Sequence, residues 1–171
     1  MEIKLTVNGK EVTVGIEFAR NIVSDIPDGK EYYGVLHEFA LSKVAAIRAE
    51  VAYKRCMSQE TVELLLQDRN IEVLSRIVTS ECAKEYITDK DIDHIIATNS
   101  EDAIENIISY MDDYENINQV QTIEKIMKLE NEYLLLKLAD NWNTPKSVLK
   151  KLKDHKDPDV SKAARKSLDD C

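Results

Sequence analysis

Apolar residues spaced three and four positions apart form a pattern that recurs four times between Ser58 and Ser167. Each recurrence holds two short segments of this kind, and the first segments start 30, 30 and 26 residues apart. The spacing predicts amphipathic helices, each with one apolar stripe turned inward. A repeat of this length indicates stacked helix pairs, which bury together a core that no single pair could bury.

The predicted helices begin at side chains that suit a helix N-terminus. Hydroxyl, amide and carboxylate oxygens there accept hydrogen bonds from amides that have no partner inside the helix. The first helices are predicted to start at Ser58, Thr88, Asn118 and Thr144, with Pro145 at the first helical position of the last one. The second helices are predicted to start at Asn70, Ser100, Glu130 and Asp157.

A degenerate fifth unit precedes these four. We expect its first helix from about Glu31, and its second helix is VAAIRAEVAYK from Val44, in which Ile47 takes the place of Val73. The expected fold is therefore all-α, a solenoid of about five helix pairs.

The N-terminus has a different pattern, in which apolar and polar residues alternate on both sides of Asn8-Gly9. That dipeptide favours a tight turn between two antiparallel strands. Because two strands alone are marginal in water, we expect the hairpin to pack on the first helices. Residues 1–30 are predicted as the hairpin and a connection that cap a solenoid over residues 31–171, and residues 1–171 as a single domain.

A family resemblance is carried by three segments, DPDVSKAARKSL, LADNWNTPKSVLKKLKD and VAAIRAEVAYKRCMSQETVELLLQD. They are similar to leucine-rich variant repeats, a relative of HEAT-type helical repeats. The resemblance extends from Val44 to the C-terminus and implies a right-handed α–α superhelix that binds proteins. The founding members carry a cysteine cluster for iron and sulfur ahead of their repeats. No such cluster precedes the repeats here, so the resemblance implies no cofactor and no catalytic residue.

Composition narrows the class of protein. The chain has 171 residues, 43% hydrophobic and 32% charged, which is typical of a folded globular protein. It has no apolar run long enough for a membrane helix, and its start, MEIKLTV, lacks the basic and apolar regions of a signal peptide. We therefore expect a cytoplasmic protein that makes no membrane contact.

The chain has three cysteines and no Cys-x-x-Cys pair, which favours reduced thiols. Cys56 and Cys82 each lie twelve residues after the start of a second helix, so we expect them to lie close together. We interpret them as buried packing thiols, with a redox or metal pair as the alternative.

Charge is distributed unevenly along a chain whose formal net charge is −9. Between Asp91 and Glu124 there are nine acidic residues and no lysine or arginine, whereas basic residues dominate from Lys146 to Lys166. An anionic centre repels phosphate and attracts basic proteins, so we expect a basic protein partner and disfavour nucleic acid. The alternative is a solvated face that only keeps the protein soluble.

These observations predict a non-enzymatic protein-binding module, an adaptor or inhibitor whose second helices line the concave surface. The predicted contact residues are Glu50, Lys54, Arg76, Asp102, Glu105, Asn106, Tyr110, Asp112, Asp113 and Tyr114. The alternative function is nucleic-acid binding, of the kind seen in DNA-repair helical repeats, through the basic C-terminal unit. Its predicted contacts are Lys150, Lys151, Lys153 and Lys156. The pattern specifies no oligomeric state.

Several short motifs fail the test of context, so no catalytic, cofactor or metal residue is predicted. The tetrapeptide at 110–113, YMDD, matches that of reverse transcriptases, but here it ends a predicted helix. Asp89, Asp91 and Asp93 match the start of a calcium loop that lacks its glycine and its final glutamate. The three histidines are too far apart along the chain to form a metal-binding pair.

Overall fold

The computed structural model describes residues 3–170, without the side chains of Ile3 and Leu5. Eleven α-helices and one two-stranded hairpin form the regular structure of this part, which confirms a mostly helical protein with an N-terminal hairpin. None of these helices is both long and apolar enough to cross a membrane. The chain divides into two compact units, Met1–Tyr86 and Ile87–Cys171. A single domain over residues 1–171 stays a prediction.

The first unit opens with β1 (Ile3–Val7) and β2 (Lys10–Val14), which pair antiparallel. Asn8 and Gly9 have φ of 50° and 77°, as a tight hairpin turn requires, so the predicted turn is confirmed. The helices of this unit are α1 (Ile16–Asp25), α2 (Tyr33–Ala40), α3 (Ala45–Ala52), α4 (Gln59–Leu66) and α5 (Ile71–Ile77). Single 3-10 turns cover Lys30–Tyr32 and Glu81–Ala83.

The second unit is helical, and a 3-10 turn at Met111–Asp113 follows its second helix. Its helices are α6 (Asp89–Ala97), α7 (Glu101–Tyr110), α8 (Gln119–Met127), α9 (Glu132–Asp140), α10 (Lys146–Leu152) and α11 (Pro158–Asp169).

The predicted helix starts are confirmed at six of the eight positions, where a side chain caps the helix. The capping residues are Ser58, Asn70, Thr88, Ser100, Asn118 and Asp157. Thr88 and Asp91 form a reciprocal capping box. The Thr88 side chain accepts a hydrogen bond from the Asp91 backbone amide, and the Asp91 carboxylate accepts one from the Thr88 backbone amide. The Asp91 carboxylate therefore has a structural role.

Two predicted starts are wrong by one residue. Asn131, not Glu130, caps α9, because Glu130 adopts a left-handed conformation with φ of 51° and lies outside the helix. Pro145, not Thr144, precedes α10. The Thr144 hydroxyl is buried and donates to the Leu138 carbonyl at 2.6 Å, so it serves the end of α9 instead.

Both units contain two layers of helices. In the first unit α3 packs between α1 and α5, and α2 packs against α4. In the second unit α9 packs between α7 and α11, and α6 packs against α8. The apolar stripes of the first helices lie in the core, as the sequence predicts. Met127, the last residue of the stripe on α8, is only half-buried. Each buried aliphatic side chain contributes about 1.5–3 kcal/mol of transfer free energy, so these stripes hold the layers together.

Helix α1 corrects the predicted connection in residues 1–30. The sequence predicts only the hairpin and a connection over these residues, yet the chain is helical from Ile16 to Asp25. The physical reason is the apolar pair Ala19 and Val23, four residues apart, which is fully buried in a helix that packs against α3. The layer of second helices therefore begins with α1.

Extensive packing of the hairpin on the first helices, as expected from the sequence, is not seen in the described part of the chain. Val7 is 57% exposed and Val12 is also exposed, and in the described chain the only extensive packing of β1 and β2 is with each other. The opposite face carries an exposed ion pair between Lys4 and Glu11 at 2.9 Å. The described part of the hairpin is therefore held mainly by the pairing of its own two strands.

Candidate protein-binding site

In the first unit, two of the predicted contact residues belong to a chain of ion pairs across the second-helix layer. The largely buried Glu50 carboxylate lies between Arg20 of α1, at 3.3 Å, and Arg76 of α5, at 3.4 Å. Arg76 also pairs with Glu72 at 3.0 Å and lies 5.8 Å from the centre of the Tyr53 ring. The charges of Glu50 and Arg76 are therefore largely satisfied within the unit.

Lys54, the third predicted contact, has a structural role at the C-terminal end of α1. Its ammonium donates to the carbonyls of Ser24, at 2.8 Å, and Ile26, at 2.5 Å. These carbonyls have no partner inside their helix, and a lysine near a helix C-terminus is favourable. A cavity of about 180 Å³ beside it mixes acidic and basic lining residues. This face of the first unit shows little uncompensated charge.

In the second unit the predicted contacts on α7 differ in exposure. Asp102 is exposed, whereas Glu105, Asn106 and Tyr110 are half-buried. Glu105 pairs with Lys137 of α9 at 2.7 Å and accepts a hydrogen bond from the Tyr133 hydroxyl. These two contacts, with Lys137 the stronger, hold the pKa of Glu105 below its ordinary value. Like Glu50, Glu105 is already paired.

The predicted contact residues in and just after the 3-10 turn that follows α7 differ in exposure. Asp112 and Asp113 are exposed, whereas Tyr114 is only 4% exposed and belongs to the core. The prediction of Tyr114 as a contact residue is therefore wrong, because burying an aromatic ring of this size is favourable and its side chain is out of reach of a partner. Burial raises the pKa of its phenol, and Asp113 adds to that shift. The buried ring positions the two aspartates at the surface.

The C-terminal ends of α7, α9 and α11 lie side by side. The Asn141 side-chain amide, just after α9, donates to the Ile108 carbonyl in the last turn of α7 at 2.6 Å. The Ser167 hydroxyl, in the last turns of α11, donates to the Ala139 carbonyl of α9 at 2.8 Å. Three helix C-termini therefore meet at one edge of the second unit.

Five exposed aspartates occupy this edge, which we name the acidic rim. Its members are Asp112, Asp113, Asp140, Asp169 and Asp170. Helix C-termini carry a partial negative charge, so acids there raise the local negative potential and are unfavourable for the helix. Within residues 3–170 no lysine, arginine or histidine forms an ion pair with Asp112, Asp140, Asp169 or Asp170. Four of the five rim carboxylates therefore have no ion-pair partner in the described chain.

Trp142 stands at the centre of this edge and is 84% exposed. Cavities of about 340 Å³ and about 230 Å³ lie on its two sides, and Asp140, Asn141 and Trp142 line both. Sequence reasoning missed Trp142, Asp140 and the aspartates at the end of α11. The signal that points to them is an acidic residue at or just after the end of α7, α9 and α11, beside the one tryptophan of the chain.

The basic C-terminal unit presents a mixed surface. Lys150, Lys151 and Lys156 are exposed, whereas Lys153 is half-buried. Lys156 lies 3.5 Å from Glu132. A cavity of about 430 Å³ in this unit is lined by three basic and two acidic side chains. The lysines of this region are thus interrupted by carboxylates.

The two cysteines of the first unit are free thiols that are half-buried, less than the buried packing thiols that the sequence predicts. The Cys56 sulfur lies 3.0 Å from the Tyr33 hydroxyl, a contact that raises the pKa of Tyr33 to about 12. The Cys82 sulfur lies 3.3 Å from the Ser80 hydroxyl, and burial raises the pKa of Cys82. No group of three metal-binding side chains occurs within the described chain.

Comparisons with protein-family models, curated proteins and solved structures found no match to this chain. The resemblance to leucine-rich variant repeats stays a prediction. The functional argument therefore proceeds from the rim and its surroundings.

Proposed function

We propose that this chain is a non-enzymatic protein-binding module, an adaptor or inhibitor that engages a basic protein through the acidic rim. The observation that carries the proposal is the set of five exposed aspartates at three adjacent helix C-termini, four of them without an ion-pair partner in residues 3–170. Acids at these positions weaken the helices they end. A surface that opposes stability in this way is the kind that function maintains.

Electrostatics supports a basic protein as the partner. Each exposed ion pair across an interface is worth only about 0–1 kcal/mol, so affinity requires several pairs that act together. The main contribution of the rim is then to speed association and select partners by charge, over a range of about 8 Å at physiological salt. Binding through the rim should weaken steeply as salt rises.

The layering of the helices supports the finer part of the proposal. In each unit one second helix packs between two others, as in a solenoid that repeats one packing step. We extend this to a right-handed superhelix in residues 31–171, similar to leucine-rich variant repeats, that acts in the cytoplasm. Of the predicted contacts, Asp102, Asp112 and Asp113 keep the proposed role, with Asn106 and Tyr110 beside them.

The test is affinity capture from the native source at low and moderate salt, with captured proteins identified by mass spectrometry. Three baits are compared: the wild type, an Asp112→Lys/Asp113→Lys variant, and a control that reverses the same number of charges outside the rim. The control is Glu38→Lys/Glu124→Lys, because both residues are exposed on first helices.

We expect a basic protein that binds the wild type and the control, is lost by the rim variant, and dissociates as salt rises. Equal retention by all three baits would mean that the rim is only a solvated face. Circular dichroism of each bait shows whether the helices are intact, so that a loss of binding is not confused with unfolding.

The exposure of Lys150, Lys151 and Lys156 favours nucleic-acid binding as a second candidate function. The interleaved carboxylates and the rim count against it, because phosphate is repelled by both. Heparin chromatography separates the two candidates. The nucleic-acid function would be favoured if the protein is retained on heparin, if Lys150→Glu/Lys151→Glu abolishes this retention, and if the rim variant strengthens it.

A further inference from the structure

We propose that Trp142 is the anchor of this surface, and that it receives an arginine side chain of the basic partner. The guanidinium would lie flat on the indole and pair with the Asp140 carboxylate. This inference rests on the proposed function and adds to it one recognition site with a defined chemistry.

The exposure of Trp142 is the first reason. A tryptophan side chain can bury about 150–250 Å² of surface, and tryptophan is highly buried on average in folded proteins. Trp142 is 84% exposed, although the helix ends on both sides of it are packed. Tryptophan is among the residues that most often dominate binding energy at interfaces.

The shape around Trp142 is the second reason. The cavity of about 340 Å³ lies towards α7 and the cavity of about 230 Å³ towards α11, so both sides of the side chain adjoin open space. Both are at or below the small end of ligand-binding pockets, which suits one side chain better than a larger molecule. A flat group can therefore lie against the exposed indole.

The lining selects the charge of the occupant. Asp140 lines both cavities, is exposed, and has no ion-pair partner in the described chain. Each cavity is lined by two acids and one lysine. Lys137 in the larger cavity is paired with Glu105 at 2.7 Å, and Lys166 lines the smaller cavity together with Asp140 and Asp170, so acid exceeds base in both. The large apolar residues that line the cavities besides Trp142 are Ile108 and Leu149. A cation finds an acid beside an aromatic ring in both cavities.

The protein builds the same arrangement internally at two other aromatic rings. Arg76 lies 5.8 Å from the centre of the Tyr53 ring, and Lys137 lies 5.1 Å from the centre of the Tyr133 ring. Each of these cations also pairs with a carboxylate. In residues 3–170 no cation lies over Trp142, whose indole is the best cation-binding ring. A cation from the partner would complete the same arrangement of cation, ring and carboxylate at Trp142. Arginine fits best, because its planar group both stacks on a ring and bonds a carboxylate.

The chain offers a direct test, because Trp142 is its one tryptophan and tryptophan fluorescence reports on this site. The probe is a blocked Gly-Arg-Gly-Arg-Gly peptide, and its twin carries citrulline, which has the shape of arginine without the charge. Both are titrated at constant ionic strength. We expect the arginine peptide to change the fluorescence saturably and to protect Trp142 from acrylamide quenching, with the twin at least tenfold weaker.

Two variants complete the test. Asp140→Asn should weaken the arginine peptide about three- to tenfold, whereas Asp159→Asn, an exposed change at the other end of the neighbouring helix α11, should leave its affinity unchanged. Equal responses to the two peptides, or an Asp140→Asn variant that binds like the wild type, would overturn the anchor.

Affinity capture with a Trp142→Ala bait separates this inference from the proposed function. If Asp112→Lys/Asp113→Lys loses the basic partner but Trp142→Ala keeps it, the rim is functional and the anchor is wrong. If the arginine peptide binds at Trp142 while the rim variant still captures every protein, the anchor is supported and the rim is wrong. Because Trp142 is exposed, its replacement should leave the fold intact.

Discussion

The ion pair between Arg48 and Asp68 should be the most important single polar contact in the first unit. The guanidinium Nε and Nη2 atoms donate to the two Asp68 carboxylate oxygens at 2.5 and 2.9 Å, and Nη1 donates to the Ser42 carbonyl at 2.8 Å. Asp68 also accepts from the Asn70 amide at 2.8 Å. The pair thus joins α3 to the loop between α4 and α5, and we predict that Asp68→Asn destabilises the unit strongly.

The magnitude follows from burial. The Asp68 and Arg48 side chains are 7% and 19% exposed. Removing one partner of a buried pair typically costs about 3–5 kcal/mol, because the other charge is left without compensation. Since water can still reach part of Arg48, we expect a loss of about 2–3 kcal/mol. For a chain of this size that corresponds to a decrease of about 4–12 °C in melting temperature.

The pH dependence has a definite sign. Burial alone would raise the pKa of Asp68, but the hydrogen bonds from Arg48 and the Asn70 amide outweigh it and hold the pKa below 3.8. A carboxylate whose pKa is lower in the folded state stabilises fully above its unfolded value, and this contribution is lost as the pH falls through the folded value. The difference between the wild type and Asp68→Asn should therefore shrink below about pH 4.

Urea unfolding, followed by circular dichroism at pH 7 and at several lower pH values, measures both quantities. The matched control is Glu72→Gln, which breaks the more exposed pair between Glu72 and Arg76 and removes an acid from the first turn of α5, and it should cost less than about 1 kcal/mol. An Asp68→Asn variant as stable as the control would refute the reasoning. So would a difference from the wild type that persists unchanged at pH 3.

Three further predictions follow from burial. Removing the hairpin through Val14 should change the melting temperature of the helices by less than about 2 °C in thermal unfolding, because Val7 and Val12 are exposed and the described hairpin has no extensive contact with a helix; a larger decrease would mean that the hairpin supports α1. Cys82, whose pKa is raised by burial, should react with iodoacetamide at pH 8 more slowly in the folded protein than in urea, and equal rates by peptide mass spectrometry would contradict this. Tyr114→Ala should cost about 3 kcal/mol in urea unfolding, whereas an exposed contact residue would cost almost nothing.

The helices could be predicted from sequence because their signals are local. Apolar spacing and capping side chains such as Asn70 and Ser100 act within one turn, so each repeat could be read by itself. The same local signal exists for α1 in Ala19 and Val23. It was overlooked because the alternation of apolar and polar residues in β2 continues past the end of the strand, to Ile16, which is already the first residue of α1. Asn131 and Pro145 were missed because a helix start can shift by one residue without changing the pattern.

The site was harder to predict because its properties arise from stacking. Glu50 and Arg76 are 26 residues apart, and only the packing of α3 on α5 brings their charges together. The sequence showed both as exposed charges, although each has an internal partner. Tyr114 was misjudged for a related reason, because the 3-10 turn that follows α7 turns its ring inward. The acids at the ends of α7, α9 and α11 were visible in the sequence, but the rim exists only because these three helix ends meet.

The position of Asp140 leads to a last prediction, in which stability and function oppose each other. Asp140 is the last residue of α9, where its charge faces the negative end of the helix, and Glu132 is the first residue of the same helix, where the dipole favours an acid. Asp140→Asn should therefore stabilise the protein by about 0.3–1 kcal/mol, and Glu132→Gln should destabilise it by a similar amount. Thermal unfolding at low salt measures both changes, and both should diminish at high salt. If Asp140→Asn stabilises the fold and also weakens the arginine peptide, the unfavourable charge is there for binding. If it destabilises the fold, Asp140 has a structural role and the argument that function maintains the rim fails.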